Sequence, residues 1–287
     1  MHPDSWQLTD DLDGFLARVG GFLRSRPAAH TVPLTVTDTL RRRGLHYYGR
    51  DAPLFGTLAA DDGTVAAALV HTPPYGLCLT PVTARQADAL ADRLADLGRR
   101  PAEVSAERES AAAFARAWQR RAGVRAGVRM RQRLYRLDGL IPPAPVPDGR
   151  PRVAGPADRE LLVRWFEEFA DAVGEGPVRD GGAWADARLS YGGVTLWEAA
   201  DGTPLAMAGA TREIAGQVRV APVYTPAGLR RRGYAGAVTA EVSRAARDAG
   251  AAEVLLFTDL ANPTSNGLYQ RLGYRGVADF TVWAFAG

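Results

Sequence analysis

The chain has no lysine; all 35 of its Lys or Arg positions are arginine. A Walker phosphate loop, which needs GxxxxGK[ST], is therefore excluded, and no Rossmann GxGxxG is present either. Cys78 is the single cysteine, so neither an internal disulfide nor a thiolate metal cluster can hold the fold, and this residue is expected to be a small buried hydrophobe. The four histidines (His2, His30, His46 and His71) all lie in the first half, and no His/Cys pair has ligand spacing, so no metal is expected. No apolar run approaches the ~20 residues of a membrane span, and the opening MHPDSWQLTDDLDG is acidic and polar, unlike a secretory leader. The expectation is a cytoplasmic protein with no membrane partner.

Length and apolar content are what the chain does have: 287 residues, 46% of them hydrophobic, can fill two cores. The net charge of +3 is unevenly spread, because residues 1–150 carry 21 Arg against 16 acids (+5) and residues 151–287 carry 14 against 16 (−2). Apolar spacing at Leu12, Phe15, Leu16, Val19, Phe22 and Leu23 predicts a helix over 10–23, and a shorter one is expected over 36–43. Strands are expected at 54–59, 65–71 and 77–82, then a helix at 83–97, a strand at 102–105, a helix at 107–122 and a strand at 128–137. The run Ile141-Pro142-Pro143-Ala144-Pro145-Val146-Pro147-Asp148-Gly149 can hold neither helix nor central strand. It reads as a linker over 141–150 between a domain of residues 1–140 and a domain of residues 151–287.

The second half repeats the order of the first. A helix carries Leu161, Leu162, Trp165, Phe166, Phe169 and Val173 on one face, and a looser Gly- and Asp-rich stretch runs on to Tyr191. Strands at 194–199 and 205–211 flank Asp201-Gly202-Thr203, which mirrors Asp62-Gly63-Thr64. Strand 253–258, helix 263–272 and a strand pair around Tyr274 and 280–285 close it.

Between these lies Val218 to Gly250, read VRVAPVYTPAGLRRRGYAGAVTAEVSRAARDAG. Val218, Val220, Pro222 and Tyr224 alternate as a strand does, the run breaks at Thr225-Pro226-Ala227-Gly228, and Arg230 to Ala235 lead into a helix. Backbone N–H groups at a helix N-terminus, with arginines beside them, favour an anion, and a phosphate-bearing ligand is the natural occupant. Gly233 and the small Ala235 let the backbone approach it closely. The loop resembles the R/Q-x-x-G-x-G/A loop of the GNAT superfamily of N-acetyltransferases through Arg230, Gly233 and Ala235. Further on, Asn262, Ser265, Tyr269, Gly273 and Tyr274 fill every marked position of a stretch similar to that superfamily's N-x-x-[SA]-x-x-x-Y-x-x-x-G-[FY]. The resemblance covers roughly residues 151–287.

The resemblance implies an α/β (α+β) architecture of two GNAT-like domains, each a mixed, mostly antiparallel sheet flanked by helices, the first a copy that has lost its site. Where the second half has the arginine loop, the first has Leu79 to Gln86 without glycine; where the second has Tyr269, the first has Ala117-Trp118-Gln119-Arg120 without tyrosine. It also implies acetyl-CoA as cofactor, with main-chain groups of Val223, Tyr224 and Thr225 pairing with the pantetheine arm. Backbone N–H groups from Arg231, Arg232, Gly233, Tyr234, Ala235 and Gly236 would hold the pyrophosphate, and the side chains of Arg230, Arg231 and Arg232 would reach the 3′-phosphate or solvent. Asn262 and Ser265 would contact the cofactor arm, Asn262 doubling as helix cap before Pro263. Tyr269 matches the tyrosine that protonates the leaving thiolate, and a backbone N–H near Val223 or Tyr224, exposed by a bulge, would be the oxyanion donor.

The implied reaction is direct attack by a primary amine of a small molecule or peptide in a ternary complex. Its base stays open between a carboxylate, a tyrosine and ordered water passing the proton outward: the superfamily's carboxylate position falls near Gln217 to Arg219, which leaves Glu213 and Glu198 as the nearest carboxylate candidates. Glu167, Glu168, Asp171 and Glu175 form an acidic face that could attract a cationic amine or simply be solvated. Two other readings stand beside this one, a CoA-binding sensor without turnover and a nucleic-acid-binding protein. The second rests on eight arginines and no acid between Arg116 and Arg136, although alternation over Val128 to Leu134 fits a half-buried strand with one wet face. No nucleic acid is expected, and the chain is expected to be a monomer or homodimer.

Overall fold

The computed structural model describes residues 5–174 and 180–286. In chain order the elements begin with β1 (Trp6–Thr9), α1 (Leu12–Ser25), α2 (Thr31–Arg43), β2 (Leu54–Ala59), β3 (Val65–His71) and β4 (Leu77–Leu79). There follow α3 (Ala84–Asp96), β5 (Glu103–Glu107), α4 (Arg108–Ala122), β6 (Arg125–Leu137) and β7 (Arg150–Val153). The remainder is α5 (Arg159–Ala172), α6 (Gly181–Leu189), β8 (Val194–Glu198), β9 (Pro204–Ala210), β10 (Gln217–Tyr224), α7 (Tyr234–Asp248), β11 (Glu253–Asp259), α8 (Pro263–Arg271) and β12 (Tyr274–Ala286). No helix among the described residues is long and apolar enough to cross a membrane.

The fold is mixed α/β, and antiparallel pairing dominates its sheets. Two compact units are present, one made of the residues through Arg133 together with those from Ala278 onward, the other of Leu134–Val277. In the first the strand order is β1-β2-β3-β4-β5-β12-β6, with Phe280 to Ala284 pairing antiparallel to Glu107 to Glu103. In the second it is β12-β6-β11-β10-β9-β8-β7. β4–β5 in the first and β10–β11 in the second are parallel pairs. The units therefore part inside the long strands β6 and β12, not at the proline-rich segment. That segment is tied to the second unit: Ile141 donates its N–H to the Leu272 carbonyl at 3.0 Å, and the Trp197 indole donates to the Asp148 carbonyl at 3.0 Å.

Three elements escape the sequence patterns. β7 reads Arg-Pro-Arg-Val and has no apolar alternation; it is an edge strand, where a proline is tolerated. β1 is only four residues long. α6 starts in the glycine-rich stretch because Asp180 caps it, accepting from the Ala183 N–H. The end of the chain forms one strand of 13 residues instead of the expected pair. Cys78 is half-buried, not buried, because β4 is short and its side chain lies on the less covered face.

The first unit has the skeleton of the second but closes it. After the parallel pair Leu77↔Val104 and Cys78↔Ser105, α3 begins with a complete capping box: Thr83 accepts from the Gln86 N–H, and Gln86 accepts from the Thr83 N–H. The Val82 N–H donates to the Ser110 hydroxyl at 2.9 Å, so α4 is stitched across the same place. The backbone donors of Val82, Thr83 and Gln86 are thus bonded to side chains.

In the second unit the decisive irregularity lies in β10. Val220 faces Ala210 on β9, but Val223 faces Ala208, so one extra residue bulges out of β10. A bulge inverts the alternation that follows it. Val218, Val220 and Val223 pack in the core beneath α7 and α8, with Val238, Val242 and Tyr269. Tyr224 packs in the opposite core, with Leu162 and Trp165 of α5. The expectation that Tyr224 continues the face of Val218 and Val220 is thus corrected. Gly209 makes room for the bulge: a Cβ there would stand 2.6 Å from the Ala221 carbonyl oxygen.

Gly209→Ala is expected to lower the unfolding free energy by about 1–3 kcal/mol, because the carbonyl has to move; urea denaturation measures it, and unchanged stability would show that the bulge is not tightly packed. Acid sensitivity should come from the first unit. Burial, with Arg99 nearby, pushes His71 down to about 4, and burial also lowers His30. The unfolded chain, with histidines near about 6.5, then binds more protons, so this part of the stability is complete above about pH 6.5 and is lost on acidification toward 4. Tm recorded from pH 8 to 4.5 should fall below about 6.5, less steeply in His71→Gln.

Candidate active site

β10 and β11 pair from Gln217↔Glu253 to Arg219↔Leu255, and no further ladder pair follows, although β10 continues to Tyr224 and β11 to Asp259. Two parallel strands that part in this way present facing edges of backbone donors and acceptors along a gap through the sheet. At the mouth of the gap the chain turns through a short 3-10 segment, Ala227–Leu229, and then α7 begins. Arg231 (φ 63°) and Gly233 (φ 86°) both take the left-handed conformation that lets the loop double back. No side chain caps α7; its first intrahelical donor is Ala237, bonded to the Gly233 carbonyl. The N–H groups of Tyr234, Ala235 and Gly236 are left at the positive end of a helix of 15 residues. Gly236 keeps α7 close to α8, since a Cβ there would meet Leu268 at 3.2 Å.

The three arginines separate. Arg230 turns back along its own loop, donating from Nε to the Thr225 carbonyl at 3.1 Å and standing beside the Tyr224 hydroxyl. Arg231 and Arg232 are exposed, Arg232 reaching the Gly228 carbonyl at 3.4 Å. Only the latter two are free of the sheet end and able to swing toward a phosphate at the helix terminus.

On α8, Asn262 is the cap the sequence predicts, its side chain accepting from the Ser265 N–H at 3.0 Å. Asn266, which the motif does not mark, locks the β11–α8 turn by donating to the carbonyls of Asp259 and Asn262 at 2.8 and 2.7 Å. It also accepts from Tyr135 of β6, whose hydroxyl receives Gln270 at 3.0 Å. This network fixes the helix that carries Tyr269. Tyr269 is buried in the α7/α8 core, in edge contact with Tyr274, and burial pushes its phenol up to about 12. It therefore holds its proton throughout the neutral range.

On the other face, Tyr224 donates its hydroxyl proton to Glu168 Oε2 at 2.6 Å, and burial together with that carboxylate pushes the phenol up to about 12. The motifs gave Tyr224 a main-chain role only; the side-chain role follows from the bulge, which no single-residue pattern reports. The Thr225 hydroxyl is buried with no hydrogen-bond partner among the described residues.

Both candidate bases are placed elsewhere. Glu198 is buried at the end of β8 between Arg150 and Arg152 of β7, at 2.9 and 2.7 Å. The hydrogen bond from Arg152 above all holds its carboxyl below the usual range. Glu213 is exposed in the turn before β10, accepting from the Gly216 N–H, at the opposite end of the strand from Tyr224. Neither faces the gap. Glu167, Glu168 and Asp171 are exposed on α5, and Glu175 lies outside the described residues. In the arginine-rich stretch, Arg120, Arg121, Arg129, Arg133 and Arg136 each meet a carboxylate, of Asp88, Asp92 with Asp96, Glu103, Asp279 and Glu253 respectively.

Residues 206–284 match the family model described as FR47-like protein. No curated protein matches the chain. Among solved structures, a GCN5-related N-acetyltransferase from Sphaerobacter thermophilus is similar with a TM-score of 0.64 at 19% identity, over 99% of this chain and 96% of that one. A GNAT-family acetyltransferase from Colwellia psychrerythraea gives 0.61 at 11% identity, over 98% of each chain. A tandem GNAT protein from the clavulanic acid biosynthesis pathway gives 0.56 at 13% identity, over 99% of each.

Glu198→Gln tests the assignment of that carboxylate to structure. Its pKa is lowered by folding, so its contribution is present above the unfolded value near about 4.3 and fades as pH falls through the folded value. The variant should have a lower Tm at pH 7, and the gap to wild type should close below about pH 4; an equal Tm at pH 7 would show that the pair adds nothing.

Proposed function

We propose that this chain, which has the GNAT fold and an FR47-like segment over the parted strands, is an acetyl-CoA-dependent N-acetyltransferase whose second unit carries the reaction. The observation that supports this most is the coincidence of the gap between β10 and β11, the uncapped N-terminus of α7 at its mouth, and a protonated, buried Tyr269 packed with Val220 on the adjoining face. The residues fit the cofactor. The N–H groups of Tyr234, Ala235 and Gly236, with Arg231 and Arg232 beside them, suit a pyrophosphate. The free edge of Val223 to Thr225 suits the amides of a pantetheine arm, and Asn262 and Ser265 border the far strand.

When bound, acetyl-CoA supplies an activated acyl group as a thioester. The chain's own residues then have three tasks. Main-chain N–H at Val223 or Tyr224, next to the bulge, is the donor for the carbonyl oxygen that gains charge. Tyr269 Oη holds a proton at neutral pH and gives it to the departing sulfur. The buried core around it excludes water from that transfer. A nucleic-acid role is not favoured, because the carboxylates facing the arginines of the 116–136 stretch neutralise much of their charge.

Calorimetric titration with acetyl-CoA tests the proposal. Binding in the micromolar range is expected for the wild type and should be lost in Gly233→Leu, which puts a branched side chain where the backbone is left-handed; no binding by the wild type would overturn it. Tyr269→Phe should leave that affinity within about twofold and slow amine-dependent CoA release by about 10²-fold. Binding with no release against any amine would instead favour a sensor.

A further inference from the structure

The gap in the second unit opens to two faces, and the groups on them differ. Tyr269 stands on the α7/α8 face; Tyr224 and Glu168 stand on the α5 face. We propose that Tyr224 and Glu168 form the seat of the acceptor, and that the acceptor arrives as a cationic primary amine. This rests on the transferase reading above for its chemical consequence, but not for its binding.

Three observations carry it. First, the bulge brings the Tyr224 side chain to the α5 face at the end of the parted strand, where its hydroxyl is spent as a donor to Glu168. That oxygen also accepts from the Arg230 side chain, so the acceptor capacity that remains is one site there and the carboxylate of Glu168, which suits an N–H-rich ligand. Second, Thr225, next in the chain, has a buried hydroxyl without a partner among the described residues, a pattern typical of ligand sites. Third, the charges around the pair favour a cation: Glu167 and Asp171 lie on the same helix as Glu168. Against them stand Arg164, one turn back on α5, and Arg230, whose Nε is engaged by the Thr225 carbonyl. An anionic acceptor would meet the carboxylate of Glu168 directly.

The pair also supplies a route for the proton that an ammonium must lose before it can attack. The amine N–H proton passes to Tyr224 Oη as the Tyr224 proton passes to Glu168 Oε2. Tyrosine is neutral before and after, the ammonium becomes a neutral amine, and the carboxylate becomes a carboxylic acid. Glu168 is exposed, so it returns the proton to water.

Saturation-transfer NMR with n-butylamine, putrescine and butyrate, on wild type, Glu168→Gln and Tyr224→Phe, tests this alongside calorimetry with acetyl-CoA. Wild type should bind both amines and not butyrate. Glu168→Gln should weaken amine binding at least about tenfold while leaving acetyl-CoA affinity within about twofold, and Tyr224→Phe should weaken amine binding a few fold. Amine binding that survives Glu168→Gln, equal binding of butyrate, or no amine binding by wild type would each overturn the proposal. Glu168-dependent amine binding without acetyl-CoA binding would leave the seat standing and remove the transferase reading; acetyl-CoA binding with Glu168-independent amine binding would do the reverse.

Discussion

One inserted residue in β10 sets the geometry of the second unit. The carbonyl of Ala221, pushed toward Gly209, marks where the strand stops following β9 in simple register. On the other edge, pairing with β11 has already ended at Arg219. A strand released on one side and reversed on the other is left with free main-chain groups and a tyrosine turned to the opposite layer. An unbroken strand would have buried Tyr224 under α7 and closed the sheet.

The first unit shows what the same skeleton becomes without those features. Its central strand β4 has three residues, its helix is capped by Thr83 and Gln86, and Ser110 holds the Val82 backbone. The capping box and Ser110 satisfy the backbone donors of Val82, Thr83 and Gln86, whereas no side chain caps α7 in the second unit. The same order of elements is thus compatible with a helix start closed by side chains that hydrogen-bond locally.

Periodicity in the sequence located most helices and strands, and the cap of α8 was legible because Asn262 before Pro263 acts through its own position at the helix start. Elements held by partners distant in sequence were not. β7 exists because Arg150 and Arg152 meet Glu198, and nothing in Arg-Pro-Arg-Val announces a strand. The same ion pairs explain why Glu198, a reasonable base by position, is committed elsewhere. Glu168 was visible only as one acid among several on a helix face, since its distinction depends on the parity change in β10. Division at the prolines was the natural reading of composition, but the grouping of strands depends on pairings across the whole chain.

That grouping has a consequence for how the protein is made. Residues Phe280 to Ala284 complete the sheet that begins at Trp6, by pairing with β5. The first unit is therefore discontinuous in sequence: β5 finds its β12 partner only in residues that follow the whole of the second unit. Cleavage within the proline-rich segment would release no independent first domain, only one with an open sheet edge. The two halves look like a duplication in sequence, but the β5–β12 pairing does not respect a division between them at the prolines.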